Sequence, residues 1–199
     1  MDPQTFIFAG PSGSGKGTQV EKLKGYLAEQ SEHPQLHIST GAEFRQFRKE
    51  KSETYTAKIS NEVDLKGGLQ PCFLAIWAWS DALIERFTGQ EHLLFDGSPR
   101  TISEAHSLDA ALNFYGRDKA YVLLVNVSRE ESKRRLMERG RSDDTESAIE
   151  NRLDWYESQV KPALEEYRGN DRYSFHEING ERSVEEVHKE IIRSLSLTE

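Results

Sequence analysis

The sequence predicts a three-layer α/β domain built on a parallel sheet. Five short apolar runs alternate with stretches of helical periodicity, a pattern that buries a parallel sheet between two helical layers. With 199 residues the chain suffices for one such domain and is short for two. No internal repeat, low-complexity tract or linker interrupts the alternation.

The expected strands are Thr5 to Ala9, Leu36 to Ser39, His92 to Phe95, Tyr121 to Val127 and Tyr173 to Ile178. A helix is expected over Thr18 to Gln30, after the first strand. Gly41 to Gly68 is polar and charged and reads as a small helical insert outside the main core. Cys72 to Phe87 reads as a helix with Phe73, Ile76, Trp77, Leu83, Ile84 and Phe87 on one face. Trp77 and Trp79 are expected in or beside the core. Ser128, three residues before Glu131, signals a capping box, and Gly140 closes that helix. Asp143 to Tyr167 reads as one long helix kinked at Pro162. The last helix spans about Ser183 to Leu195. Right-handed crossovers then bring the strand C-terminal ends to one rim, where ligands bind in such folds.

Charge and composition narrow the function. The net charge of −8 lacks the basic footprint of a nucleic-acid binder. A single cysteine, Cys72, permits neither an intramolecular disulfide nor a multi-cysteine zinc site. No apolar run approaches the roughly 18 residues of a membrane span. No basic start with a cleavage site precedes the first strand, so the expected location is cytoplasmic.

The sharpest local signal is Gly10-Pro11-Ser12-Gly13-Ser14-Gly15-Lys16-Gly17-Thr18, between the first strand and the first helix. Glycines let the backbone curl until several N–H groups face one anion, and the helix behind adds the positive end of its dipole. Lys16 adds a mobile full charge. This is the phosphate loop of nucleotide-binding proteins in its required context. Gly17 stands where the general motif has a metal-binding hydroxyl, which arrives one place later at Thr18. Metal binding through water is therefore favoured over direct ligation by Thr18.

Gly15-Lys16-Gly17-Thr18-Gln19 resembles the adenylate kinase branch of the nucleoside monophosphate kinases. Further segments match in order: Ser39-Thr40-Gly41 with Arg45, then Asp96-Gly97-Ser98-Pro99-Arg100-Thr101, then Arg135, Arg139, Arg141-Ser142-Asp143-Asp144 and Arg152. The resemblance implies a P-loop fold with a five-stranded parallel sheet, a monophosphate-binding insert over 41–70 and a very short lid over 139–144. It also implies reversible transfer of a phosphoryl group from ATP-Mg²⁺ to a nucleoside monophosphate. By the same resemblance Gly13 to Thr18 and Arg135 bind ATP, with Arg135 stacking on the donor base. Thr40, Arg45, Leu69, Gly97, Arg100 and Glu104 bind the acceptor, and Lys16, Arg100, Arg139, Arg141 and Arg152 are catalytic. Asp96 orients Mg²⁺ through water, and Asp143 and Asp144 form the lid hinge. Zinc, a nucleic acid and a membrane are not expected, and the expected state is a monomer.

Plainer readings stand beside these. Arg45, with Arg48 and Lys49, fits a solvated helix face. Arg135 and Arg139 fit surface ion pairs with Glu130, Glu131 and Glu138. Arg152 fits an ordinary helix surface, and Asp143 and Asp144 fit a helix cap.

Two residues depart from the family pattern. Glu104 replaces a glutamine, and Ser98 replaces a large apolar residue. An ionised Glu only accepts hydrogen bonds, which suits guanine N1–H and N2–H₂ better than adenine N1. Glu104 pointing to solvent, with selectivity left to backbone near Leu69, is the alternative. AMP is the expected acceptor on overall resemblance. The alternatives are a kinase preferring GMP or another monophosphate, a P-loop kinase for another small acceptor, or a non-catalytic adenine-nucleotide sensor.

Overall fold

The computed structural model describes residues 1–141 and 143–195. Ser142, within the short-lid run, lies outside the described residues. Five strands, β1 (Thr5–Ala9), β2 (Gln35–Ser39), β3 (His92–Asp96), β4 (Ala120–Asn126) and β5 (Tyr173–Asn179), form one sheet in the order β2-β3-β1-β4-β5. Every pairing is parallel. All five lie within two residues of their expected positions.

The central strand shows why the sheet needs two helical layers. Phe6 and Phe8 point to one face, where they pack with Val20, Leu23 and Leu27 of α1 (Lys16–Gln30) and Val187 and Ile191 of α9 (Val184–Leu195). Ile7 and Ala9 point to the other, against Trp79 and Leu83 of α4 (Cys72–Arg86) and Leu108 and Leu112 of α5 (Ile102–Phe114). Each large apolar side chain so buried contributes about 2 kcal/mol, and period-2 alternation splits that gain between the layers.

Register then sets the site. Phe8 pairs with Asp96 and Ser39 pairs with Asp96, so β1, β2 and β3 end in one row. The segments after them emerge side by side on the C-terminal rim. Strand order reverses at β1, whose neighbours β3 and β4 carry connections leading to opposite edges, and a crevice opens there. The expected insert contains α2 (Thr40–Glu50) and α3 (Tyr55–Leu65). Arg48 joins them by an ion pair to Asp64 at 2.6 Å.

Three expectations need correction. In α4 the buried residues are Leu74, Ala75, Ala78, Trp79, Ala82 and Leu83, whereas Phe73 and Ile84 are about two-thirds exposed and Trp77 is also exposed. Close approach of α2 through Phe44 requires the small Ala75 and Ala78 at the contact, so reading only large side chains selected the wrong face. The capping box at α6 (Arg129–Arg139) is half formed. Ser128 accepts from the Glu131 N–H, but the Glu131 carboxylate turns to Arg134 and Arg135, and the Ser128 N–H donates to Glu181.

The long helix is the third. It starts at Glu146, capped by Thr145 rather than by Asp143 or Asp144, and runs as α7 (Glu146–Trp155) into a π-helical turn, Tyr156–Val160, before α8 (Lys161–Glu165). Pro162 cannot donate to the turn before it, and the wider turn accommodates that missing bond ahead of the proline. No described helix is long and apolar enough to cross a membrane.

The exit loop of the insert is fastened to α7. Asn151 donates to the Lys66 carbonyl at 2.8 Å and the Trp155 indole N–H to the Gly67 carbonyl at 2.9 Å. Gly67 has φ +66°, and a Cβ there would lie 2.1 Å from the Ala148 carbonyl oxygen. Gly67→Ala is therefore expected to cost about 2–3 kcal/mol in urea unfolding through strain and overpacking. An unchanged midpoint would show that this contact carries no stability.

Candidate active site

The glycine turn is shaped by what surrounds it. Gly10 has φ +140°, and a side chain there would strike the Val125 carbonyl at 2.2 Å. Gly13 lies under α6, where a Cβ would meet the Ser132 carbonyl at 2.9 Å. Gly15, at φ 92°, begins α1 with no side-chain cap, so the first-turn N–H groups of that helix, from Lys16, Gly17 and Thr18, open onto the turn. Ser14 is buried beneath it, and Gly17 and Thr18 are exposed. Lys16 folds back over this turn and donates to the Gly10 and Pro11 carbonyls, both at 2.8 Å. Burial pulls its pKa down to about 8, with Arg100 and Arg139 pushing the same way and Asp96 opposing.

The opposite wall comes from the ends of β2 and β3. Asp96 lies 3.9 Å from where a Gly17 side chain would begin, and Ser39 donates to its Oδ2 at 3.5 Å. His37, not foreseen, stands 3.9 Å from the same oxygen. After the turn at Gly97, Arg100 is held by its Nε–H on the Gly97 carbonyl at 2.7 Å and by the Trp155 ring, 5.7 Å from its guanidinium carbon. Thr40 and Ser98 are buried and share a 2.5 Å hydrogen bond. Glu104 is wholly buried, which overturns the solvent-facing alternative. Its Oε2 accepts from the Arg100 backbone N–H at 2.8 Å, and its Oε1 has no hydrogen-bond partner among the described residues. Burial pushes its carboxyl up, with Arg100 opposing. Leu69 is half-buried in the loop from α3 to α4.

A third wall comes from α6, α7 and the described residues between them. Asp144, with a fully buried side chain, accepts two bonds from Arg139 at 2.8 and 2.7 Å and one from Arg152 at 2.7 Å. Asp143 takes the other end of Arg152 at 2.5 Å. Burial alone would raise the Asp144 carboxyl, but Arg139, the Arg141 N–H and Arg152 outweigh it and lower its pKa. Asp143 and Asp144 thus hold two arginines in fixed orientations. Arg135 pairs with Glu131 at 2.5 Å and also reaches the carbonyls of Ser14 and Gly180, bridging the glycine turn to the loop after β5.

Arg141 shows how crowded the cleft is. Burial lowers its pKa first, and Arg139 and Arg45 lower it further. Arg45, on the first turns of α2, is therefore within electrostatic reach of the α6–α7 connection, with its guanidinium against Gly41. Among the described residues, Lys16, Arg45 and Arg141 have no ion-pair partner. Lys16, Arg100, Trp155 and Tyr156 line a space of about 60 Å³ where these walls meet. A larger hollow of about 490 Å³, among Asn126, Ser128, Lys161 and Glu177, contains none of the cleft cations.

Sequence reasoning missed Trp155 and Asn151, which sit mid-helix with no motif around them, and Trp79, whose neighbourhood with Glu104 arises only from packing. Asp144→Ala is expected to destabilise the fold by about 3 kcal/mol, because buried Arg152 loses a partner while half-exposed Arg139 finds water. Thermal or urea unfolding checks it, and a loss below about 1 kcal/mol would mean that Asp143 alone neutralises Arg152.

The comparisons with known proteins follow the same outline. Residues 8–172 match the family model described as adenylate kinase. The chain is 38% identical over 194 residues to an adenylate kinase of Azobacteroides pseudotrichonymphae, covering 95% of both chains. It is 37% identical over 185 residues to one of Parabacteroides distasonis, covering 91% of both. To adenylate kinase 1 of a Nostoc species it is 35% identical over 189 residues, with 95% of this chain and 97% of the relative covered. A match through β1 to β4, the glycine turn and the arginine walls establishes that this chain belongs to the adenylate kinase family.

Proposed function

We propose that the protein transfers the γ-phosphoryl group of ATP to a nucleoside monophosphate, with AMP as the acceptor (ATP + AMP = 2 ADP). The observation that carries this is the convergence of Lys16 and Arg100 on one cleft, with Arg139 close enough to act on the Lys16 charge, from three separate segments of the chain. Like charges so placed repel until a polyanion binds between them, and two phosphate-bearing substrates supply that charge.

In this reading the backbone N–H groups from Gly13 to Thr18 bind the ATP phosphates, and Arg135 lies beside the donor base. Arg45, Arg100 and Thr40 hold the acceptor phosphate, with Gly97 and Leu69 along its path. Arginine suits both tasks because its planar fork bonds two phosphate oxygens at once. An acceptor phosphate oxygen attacks the γ-phosphorus, and the bond from that phosphorus to the β,γ-bridging oxygen breaks, releasing ADP. Lys16, Arg139, Arg141 and Arg152 neutralise the charge spread over the transferring oxygens. No general base is required, because the attacking phosphate is already anionic.

Asp96 fits a hard cation held mainly by substrate phosphates and water, since it is a lone carboxylate at the foot of the glycine turn beside the Ser39 hydroxyl. Bound there, Mg²⁺ would neutralise charge on the polyphosphate. Thr18, exposed one position beyond Gly17, is left outside that set of donors in this reading. The insert over 41–70 would carry the acceptor and the run over 139–144 would act as a short lid.

A coupled assay with ATP-Mg²⁺ against AMP, GMP, CMP, UMP and dTMP tests the reading, and transfer to none of them with intact ATP binding would favour a nucleotide sensor. Lys16→Ala is expected to lower kcat by about a hundredfold or more, and turnover near that of the unmodified protein would remove Lys16 from the mechanism. The Lys16 pKa adds a pH signature. The free lysine loses its proton as pH rises through about 8, whereas bound polyphosphate favours the charged form. ATP affinity is therefore expected to fall above about pH 8 with proton uptake on binding, measured by calorimetry in two buffers. A pH-independent affinity between pH 7 and roughly 9.5 would contradict it.

A further inference from the structure

We propose that Glu104 is a positioning residue for Arg100, coupled through Ser98 to Thr40, and that it does not read the acceptor base. The inference rests on the monophosphate acceptor proposed above. It concerns the two positions at which this chain departs from the pattern it resembles, and the fold brings those two together.

Glu104 sits in the first turn of α5, and its side chain is fully buried. Its Oε2 accepts from the Arg100 N–H at 2.8 Å. Its Oε1 closes no hydrogen bond, and neither does the buried indole N–H of Trp79. Ser98 and Trp79 are nonetheless the side chains whose donors face this carboxylate. Ser98 in turn shares its hydroxyl with Thr40, the first residue of α2. Hydrogen bonds thus join Thr40 to Ser98 and Glu104 to Arg100, and the Ser98 hydroxyl faces the Glu104 carboxylate between the two pairs, behind the surface that an acceptor phosphate would touch. A phenyl ring at position 98 would leave Thr40 without its partner, and a glutamine at 104 would remove the negative charge beneath Arg100.

The consequence for Arg100 is specific. Glu104 fixes its backbone, the Gly97 carbonyl fixes its Nε, and Trp155 covers its plane. The two terminal nitrogens donate to no group among the described residues and remain free for phosphate. An isolated buried carboxylate would cost several kcal/mol, and proximity to the Arg100 guanidinium offsets that cost. Glu104 is also three residues past Thr101, the N-cap of α5, so a cap that serves stability alone is the rival explanation.

Calorimetric titration and steady-state kinetics of Glu104→Ala and Glu104→Gln with AMP and with GMP separate the possibilities. Loss of the acceptor that holds the Arg100 N–H predicts acceptor Kd and KM raised about tenfold in the alanine variant, by the same factor for both bases, with a smaller shift in KM for ATP. Glutamine, whose amide oxygen still accepts from the Arg100 N–H, is expected to restore affinity to within about threefold. Ser98→Ala is expected to weaken both acceptors alike. An AMP-to-GMP ratio changed about tenfold by glutamine would make Glu104 a base reader and overturn the proposal. A lowered melting temperature with unchanged acceptor Kd and KM would reduce it to a helix cap and also overturn it. If the alanine variant does not fold, the glutamine and Ser98→Ala titrations decide on the same criteria. A wild-type chain that binds monophosphates but transfers to none would end the proposed function, while the Kd ratios still judge Glu104. Absence of any monophosphate binding would end both.

Discussion

Repulsion between cations confined to one rim is the constraint around which this protein is arranged. Lys16, Arg100, Arg139 and Arg141 come from the first helix, the turn after β3, and the end of α6 with its following loop. Without ligand, burial first and then Arg100 and Arg139 disfavour the charge on Lys16, and burial with Arg139 and Arg45 that on Arg141. The fold tolerates this because three carboxylates are set behind the arginines and lysine. Asp96 lies at the foot of the glycine turn, Asp144 between Arg139 and Arg152, and Glu104 beneath Arg100. These carboxylates orient the cations, yet they leave the faces toward the cleft unpaired.

The scaffold makes that placement cheap. A parallel sheet buried on both faces holds the ends of β1, β2 and β3 in register, so the residues following them need no long loops to converge. The hydrophobic layers supply the stability that the charged rim consumes. Rigidity matters more than strength here, since an arginine presented at a fixed angle loses less freedom when it binds phosphate. Two residues of α7 add to this by fastening the exit loop of the α2–α3 insert to the helix that carries Arg152.

Chemistry and architecture divide between near and far contacts. The short connection between α6 and α7 leaves Asp143 and Asp144 within reach of Arg139 and Arg152, so a few residues supply the counter-charge for both arginines. Arg135 has a double attachment, to Glu131 on its own helix and to two carbonyls across the loop. The expected surface ion pair and a place beside the glycine turn are thus both real and compatible.

Much was legible from local chemistry. Five strands, the glycine turn, the Asp96–Arg100 turn and the arginines of α6 and α7 were readable because each depends on residues adjacent in the chain. Glycine's backbone freedom, a strand's alternation and a capping serine all act within a few residues. The inner face of α4 was not readable, because alanines chosen for close approach to α2 leave no strong apolar signal. The π-turn ahead of Pro162 and the Asn151 and Trp155 contacts were equally hidden. Most telling is Glu104. By itself the sequence determined that a carboxylate stands four residues after Arg100, and its chemistry suggested a base or solvent as partner. Only the tertiary structure decided that it is buried, because Trp79 of α4 and Ser98 and Arg100 of the turn after β3 close around it. A side chain's environment is set by whichever elements pack over it, and that information is spread along the whole chain.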